Sequence, residues 1–408
     1  MNEHVKRVMK RCDDLAKISE KDGNITRRAL SQAMRRAHGL VGSWMQEAGL
    51  HVEVDSIGNI FGSTNINGKK PILLLGSHLD TVVNAGKYDG ILGVILALEL
   101  VSGIDFSNLP FDITVIGFSD EEGARFQAKC IGSKSVCGQL NQSILDLKDE
   151  NGICMRDAII DFGGNPESIF IPKYKKDKIL GFVEFHIEQG VTLETNDCPI
   201  GIVDAIVGQT NIVVDYHGVP GHAGTLLMNQ RSDSLLAAAK LVVAVEKRAV
   251  QKEKMVATVG MIKNSPNVPN CVSGHTQVSI DVRHFNDDVR NAGTYDILKD
   301  AESLAKAHGQ RLTYEILGET ASVSCDAKII SMLQESASAV PHIQLSSGAG
   351  HDAMVMASIC PVGMVFLRCK DGVSHNPRES VHDKDVAYAI SVGKSFIEIF
   401  ARRLSDSE

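Results

Sequence analysis

Pro71-Ile72-Leu73-Leu74-Leu75-Gly76-Ser77-His78-Leu79-Asp80 decides how this chain folds. Its first half is an uninterrupted apolar run, the pattern of a strand buried on both faces. It leaves that strand on a loop carrying a histidine and a carboxylate, and Asp89-Gly90 follows nine residues after Asp80. Gly90 to Val101 then reads as an apolar helix and Phe111 to Phe118 as a second β-branched-rich strand. Strand, helix and strand in this order imply a βαβ unit with at least partly parallel strands. Open α/β sheets gather their ligand crevices at the carboxyl ends of such strands. His78 and Asp80, and the acidic run Asp120-Glu121-Glu122, both lie just past those ends.

Outward from this unit, Arg27 to Ala48 has helical periodicity and stops at Gly49, while His51 to Ser63 alternates around Gly58-Asn59 as a hairpin would. Beyond Gly208 the order becomes strand (Asn211 to Tyr216), helix (Ser232 to Val250), strand (Met255 to Ile262), strand (Thr276 to Arg283), helix (Val289 to His308) and strand (Arg311 to Leu317). That β-α-β-β-α-β succession is ferredoxin-like, with an antiparallel sheet. A helix from Asp326, a buried strand Val362 to Leu367 and a helix after Asp385 resume the first pattern. The expected fold class is therefore α/β: a discontinuous catalytic domain (1–209 and 323–408) with a mainly parallel sheet, and an inserted α+β domain (210–322).

Composition narrows the function. A chain of 408 residues exceeds one ordinary core, which agrees with two domains. With 42 basic against 50 acidic residues, the net charge of −8 lacks the basic footprint of a nucleic-acid binder. No apolar run reaches the roughly 18 residues of a membrane span. Met1 to Lys21 is charged throughout and has no apolar signal core. Nine cysteines, none in C-x-x-C spacing, are expected as reduced thiols, so a cytoplasmic location is expected and any metal site uses His and carboxylates.

Taken one by one, the polar candidates keep two readings each. His78 is a metal ligand oriented by Asp80, or a loop histidine with an ordinary hydrogen bond. Asp89 is a carboxylate bridging two cations, or the N-cap of the following helix. Glu121 and Glu122 repel each other unless cations or protons intervene; one would then ligate a metal while the other takes a proton from activated water. The bland alternative is a solvated acidic turn. In Glu184-Phe185-His186-Ile187-Glu188-Gln189-Gly190, alternation puts His186 between two carboxylates on one strand face, which also describes a charged surface strand. His375, in Gly372-Val373-Ser374-His375-Asn376-Pro377, lies on a loop stiffened by Pro377 and is a ligand or, as is commoner for a loop histidine, a structural residue.

Together these motifs resemble the dinuclear-metal M20 amidohydrolases, specifically the hydantoinase/carbamoylase branch with N-carbamoyl-L-amino acid hydrolases and allantoate amidohydrolases. The resemblance runs from Gly23-Asn24-Ile25-Thr26-Arg27 through Asp55-Ser56-Ile57-Gly58-Asn59, the motifs above and Ser347-Gly348-Ala349-Gly350-His351-Asp352-Ala353 to the His375 loop. It implies two divalent cations per subunit, zinc or manganese, with cobalt or nickel also accepted by such donors. His78, Asp89 and His186 would hold one; Asp89, Glu122 and His375 the other. It implies Glu121 as general base and Asp80 as the partner of His78. It further implies Gln189, Asn270 and Arg283 as substrate contacts, with Arg283 gripping a carboxylate, where the residue alone suits a strand-edge salt bridge. His222 would contact substrate and stabilise the oxyanion from a partner subunit, which requires a homodimer and makes the inserted domain a lid and dimerisation element.

The implied reaction is hydrolysis of an N-carbamoyl (ureido) group on a small carboxylate, an N-carbamoyl-L-amino acid or allantoate, releasing ammonia and CO2. An aminoacylase- or dipeptidase-type hydrolase is the alternative within the family, and a metal-free binding protein on the same fold the alternative outside it. The chain departs from the branch pattern at Leu226-Leu227 (usually Thr-Pro), Ser232 (Arg) and Ser273 (Pro). All three lie in the inserted segment, away from the expected metal ligands.

Overall fold

The apolar runs become strands, and their pairing sets where each polar residue emerges. The computed structural model describes residues 2–65 and 70–406. The strands among them are β1 (His51–Val54), β2 (Ile60–Ser63), β3 (Ile72–His78), β4 (Asp112–Phe118), β5 (Ile179–Ile187) and β6 (Ile200–Ile206). Next come β7 (Gly208–His217), β8 (Gly221–His222), β9 (Val256–Ser265), β10 (Cys271–Val272), β11 (His275–His284), β12 (Arg311–Thr320) and β13 (Val323–Ser324). β14 (His342–Ser347) and β15 (Val362–Leu367) complete them. The chain forms two compact units, Met1–Asp204 with Cys325–Glu408, and Ala205–Ser324.

In the first unit the sheet order is β1-β2-β4-β3-β5-β15-β6, with β14 on β6. The centre is parallel: β3 pairs with β4 and with β5, and β15 with β5. The outer pairs β1–β2, β2–β4 and β15–β6 are antiparallel. The sheet is thus mixed, with the expected mainly parallel core. Helix Ile91–Val101 lies on it with every residue buried, as its unbroken apolar sequence requires. The close approach depends on Gly93, where a Cβ would run into the Phe185 carbonyl oxygen of β5. Helix Glu3–Ala16 is latched to this helix through the buried Glu99, which accepts from Arg7 Nε at 2.7 Å and Nη2 at 2.6 Å.

The helix expected over 27–48 begins only at Gln32, with Ser31 capping it through Met34 N at 3.1 Å. The early residues are diverted because the Arg27 side chain is buried. Its guanidinium donates to the carbonyls of Leu79, Leu15 and Ile18 at 2.9, 2.9 and 3.0 Å. Strands β6 and β14 and helix Glu3–Ala16 have no counterpart in the elements expected from sequence.

In the second unit, the four-stranded antiparallel sheet has the order β12-β7-β11-β9. Helices Ser234–Val250 and Asp287–Ala307 cover one face through Ile212, Val214, Tyr216, Val278, Ile280 and Val282. The short strands β8 and β10 pair apart from this sheet.

Candidate metal centre

Three parallel neighbours deliver the central residues. His78 ends β3, His186 lies near the end of β5, and the acidic run follows β4, so the carboxyl ends of adjacent strands supply all three. The turn after β4 needs Asp120 and Gly123 at positive φ (59° and 67°). His375 (φ 54°) and Gln189 (φ 58°) are further non-glycine residues in the left-handed region, a conformation that concentrates at functional sites.

Asp89 sits at the centre. Its Oδ1 lies 3.1 Å from His186 Nε2 and 3.6 Å from His78 Nε2. Its Oδ2 lies 3.2 Å from His375 Nε2, which is itself 3.2 Å from Glu122 Oε1. One oxygen therefore faces the His78 and His186 imidazoles and the other the pair His375 and Glu122. The capping alternative for Asp89 does not hold: the N-cap is Gly90, at φ 71°, with no side-chain capping bond. A Cβ at Gly90 would collide with the His78 ring.

The opposite nitrogens of the imidazoles are engaged. His186 Nδ1 is 2.8 Å from the Ile187 carbonyl oxygen, and His78 Nδ1 is 3.1 Å from the Asp80 carbonyl oxygen and 3.5 Å from its carboxylate. That leaves each Nε2 as the inward atom. The Asp80 carboxylate does more than face His78. Its Oδ1 accepts the backbone N–H of Glu121 at 3.1 Å and its Oδ2 that of Glu122 at 3.2 Å. Asp80 thereby ties the β3 loop to the β4 loop.

Electrostatics bear on whether a cation fits. Burial opposes charge on His78 and His186, yet hydrogen bonding to Asp89, and to Asp80 for His78, raises both above the ordinary histidine range. His375 rises to about 10 through Asp89 and Glu122. Burial pushes Asp89 up, but the three histidines outweigh it and hold it well below the ordinary carboxylate range. The protein alone thus balances its carboxylates with protons on imidazoles that point at them. Divalent cations supply the same positive charge and use the same lone pairs. Groups of His78/Asp89/His186, His78/Glu121/Glu122 and Asp89/Glu122/His375 each bring one donor atom within 4.8 Å of the others. The donor set fits a hard or borderline divalent ion.

Glu121 is buried beside this cluster, and burial pushes its carboxyl well above the ordinary range. Gln189 Nε2 donates to Asp89 Oδ2 at 2.8 Å. Glu188 turns away from His186: it accepts the N–H groups of Thr192 and Leu193 at 2.7 and 2.9 Å. Glu184 stays, accepting from Ser77 Oγ at 2.8 Å and from Ala353 N at 3.0 Å. Sequence reasoning gives no role to His351, packed edge-on to His186 at 4.6 Å, or to Glu379 behind Asp89. Both belong to motifs already quoted or adjoining them, and that adjacency is the available signal.

The remaining candidates lie in the second unit. β8 and β10 pair His222 with Cys271, and Ala223 N donates to the Asn270 carbonyl at 3.0 Å, so His222 and Asn270 occupy neighbouring backbone. Arg283, on β11, directs Nε and Nη2 to the two Asp281 oxygens, each at 3.0 Å. The departures are close by in sequence. Leu226 packs over Gly221, and Arg231 donates to the Leu226 and Ala223 carbonyls at 3.0 and 2.6 Å, closing the loop that carries His222.

A fold and a polar centre of this kind define a metal-dependent hydrolase. The profile of peptidase family M20/M25/M40 matches residues 74–399, and the chain belongs to that family. It is 35% identical over 423 residues to allantoate deiminase 2 of Glycine max, covering 94% of this chain and 87% of that one. It is 36% identical over 393 residues to the N-carbamoyl-L-amino acid amidohydrolase of Geobacillus stearothermophilus, covering 95% and 96%. A hydantoinase/carbamoylase-family amidase from Burkholderia multivorans superposes with a TM-score of 0.88 at 28% identity, covering 97% of both chains. The expected membership of the hydantoinase/carbamoylase branch is borne out. No helix among the described residues is long and apolar enough to cross a membrane.

Proposed function

We propose that the chain is a metal-dependent amidohydrolase acting on the ureido group of a small carboxylate, an N-carbamoyl-L-amino acid or allantoate, and releasing ammonia and CO2. The observation that carries this reading is Asp89, whose two oxygens address two separate sets of donors while Glu121 stands buried beside them. The relatives named for allantoate and N-carbamoyl amino acids favour it over the aminoacylase or dipeptidase alternative, and the full donor set speaks against a metal-free binding protein.

In this reading His78, Asp89 and His186 hold one divalent cation and Asp89, Glu122 and His375 a second. Such ions polarise a carbonyl and lower the pKa of water. Glu121 takes a proton from the attacking water and returns it to the departing nitrogen. Its burial raises its carboxyl above the ordinary range, which makes the carboxylate a stronger proton acceptor. Asp80 holds the backbone N–H groups of Glu121 and Glu122 and so keeps base and ligand in place.

The inserted unit would supply substrate contacts from Arg283, Asn270 and His222, with Gln189 from the first unit, in a homodimer closing over substrate. Support comes from the backbone bond that joins the His222 and Asn270 segments; the Arg283 fork, engaged on Asp281, would exchange that carboxylate for the one on the substrate. Manganese or zinc is the expected ion, and a cytoplasmic location suits nine free thiols.

The test is ammonia release from allantoate, N-carbamoyl-L-amino acids and N-acetyl amino acids, each with added Mn2+ or Zn2+. Ammonia from a ureido acid is expected. Turnover confined to the N-acetyl compounds, with acetate as product, would transfer the chain to the aminoacylase reading.

A further inference from the structure

Glu379 is 4% exposed and its carboxylate joins two loops distant in sequence. Oε1 accepts the backbone N–H of Tyr88 at 2.7 Å and of Asp89 at 3.1 Å. Oε2 lies 2.9 Å from Ser374 Oγ, and that hydroxyl lies 2.5 Å from Asp89 Oδ2. The backbone N–H of Glu379 donates to the Asn376 carbonyl at 3.0 Å, closing the turn that begins at His375. Room for the side chain comes from Gly86, where a Cβ would overlap the Glu379 carboxyl group. One buried carboxylate therefore grips the backbone of the residue between the two donor sets and the hydroxyl next to His375.

We infer that Glu379 is a positioning residue that sets the spacing between Asp89 and His375, and so the affinity of the cation held by Asp89, Glu122 and His375. This rests on the reading of those three residues as ligands. Glu379 belongs to none of the donor groups. It acts through the main chain of Asp89 and through Ser374. Removing it releases the backbone of Tyr88 and Asp89 and leaves the Ser374–Asp89 hydrogen bond to hold the two loops, while His78 and His186, carried by β3 and β5, stay where they are.

An amide at this position preserves the link. The carbonyl oxygen of a glutamine accepts the two backbone N–H groups, and its NH2 donates to Ser374 Oγ, whose proton then goes to Asp89. Aspartate is one methylene shorter and cannot span both loops.

The experiment is a Mn2+ titration of the metal-free full-length protein, followed by the electron paramagnetic resonance of the free ion, with metal analysis after dialysis. Wild type is expected to hold two ions. Glu379→Ala and Glu379→Asp should keep one ion at wild-type affinity and weaken the second by about tenfold or more, the scale of losing a group that orients a ligand. Glu379→Gln should restore the second ion. With saturating Mn2+, the two weakened variants should show lower kcat and little change in KM. Thermal unfolding in EDTA separates this from a folding defect: the expected midpoints of Glu379→Asp and Glu379→Gln agree. Two ions held at wild-type affinity in Glu379→Ala or Glu379→Asp overturn the inference and leave the two-cation reading standing. A wild type that binds a single ion overturns that reading and the inference with it. Should Glu379→Ala fail to fold, the Glu379→Asp and Glu379→Gln pair decides the matter.

Discussion

His78 and His186 point their Nε2 atoms at each other across 3.4 Å, each held by a backbone carbonyl at the opposite nitrogen. Two imidazole nitrogens converging this closely beside one carboxylate oxygen would offer a cation three donors once their protons give way to it. Replacing His186 by alanine should remove the ion of that half, and replacing His375 the other, while Asp89→Ala should lose both. Metal analysis after dialysis checks all three. Two tightly held ions in His375→Ala would remove His375 from the ligand set.

Glu121→Gln keeps the volume and loses the proton acceptor. Metal content should stay near wild type while kcat falls by about 10² to 10⁴, the range of lost acid–base assistance. Normal turnover in this variant excludes Glu121 as the base. Asp80→Ala should behave differently, because it releases the backbone of both Glu121 and Glu122, and should reduce kcat and metal retention together.

Arg283→Lys replaces a planar fork by a point charge. KM for carboxylate substrates should rise by about tenfold or more, the scale of a charge-assisted hydrogen bond. The same substrates as carboxamides should be indifferent to the change. An unchanged KM places the carboxylate elsewhere.

Two glycines give a matched stability test. Gly93→Ala gains up to about 1 kcal/mol of helix propensity but drives a methyl into the β5 backbone, an overpacking cost of roughly 1–3 kcal/mol, so a net loss in denaturant unfolding is expected. At Gly39 in helix Gln32–Glu47 nothing lies within 4 Å of a Cβ, and Gly39→Ala should stabilise. A stabilised Gly93→Ala would mean that the helix can shift off the sheet.

His38 is buried edge-on to Phe162 at 5.6 Å, and its Nε2 has no partner among the described residues. Burial, then the charges of Arg27 and Arg35, lower its pKa to about 4. The folded chain holds it neutral where the unfolded chain, near the ordinary pKa of about 6.5, begins to bind a proton. Its contribution is therefore fully present above that value and is lost as pH falls from about 6.5 toward 4, amounting to roughly 3 kcal/mol at most. In EDTA, His38→Gln should flatten the dependence of unfolding free energy on pH in that window. An unaltered slope assigns the acid sensitivity to other groups.

The fold is legible in the sequence where a residue has one job. Val362 to Leu367, with nothing polar to place, is β15 with the same bounds, and the apolar helix after Gly90 begins one residue later than its pattern suggests. Legibility fails where one residue serves a distant segment. Arg27 suits a helix but spends its guanidinium on three carbonyls, and Glu188 alternates correctly with His186 but caps the turn at Thr192. β6 and β14 escape detection because their register comes from partners far along the chain. At the site, the ligand types and their order are visible. The division of Asp89 between two donor sets is not, since it depends on which oxygen faces which loop.

The donors leave from adjacent strands whose pairing is fixed residue by residue: His78 with Phe118, Gly76 with Glu184, and His186 with Phe366. A slip of one residue between β3 and β5 would turn His78 or His186 to the opposite face of the sheet. Only the native register brings the imidazoles together, so an ion bound there would stabilise that register over a misaligned one to the extent that its concentration exceeds its Kd. A cation held there would in this sense proofread the fold as well as serve the reaction.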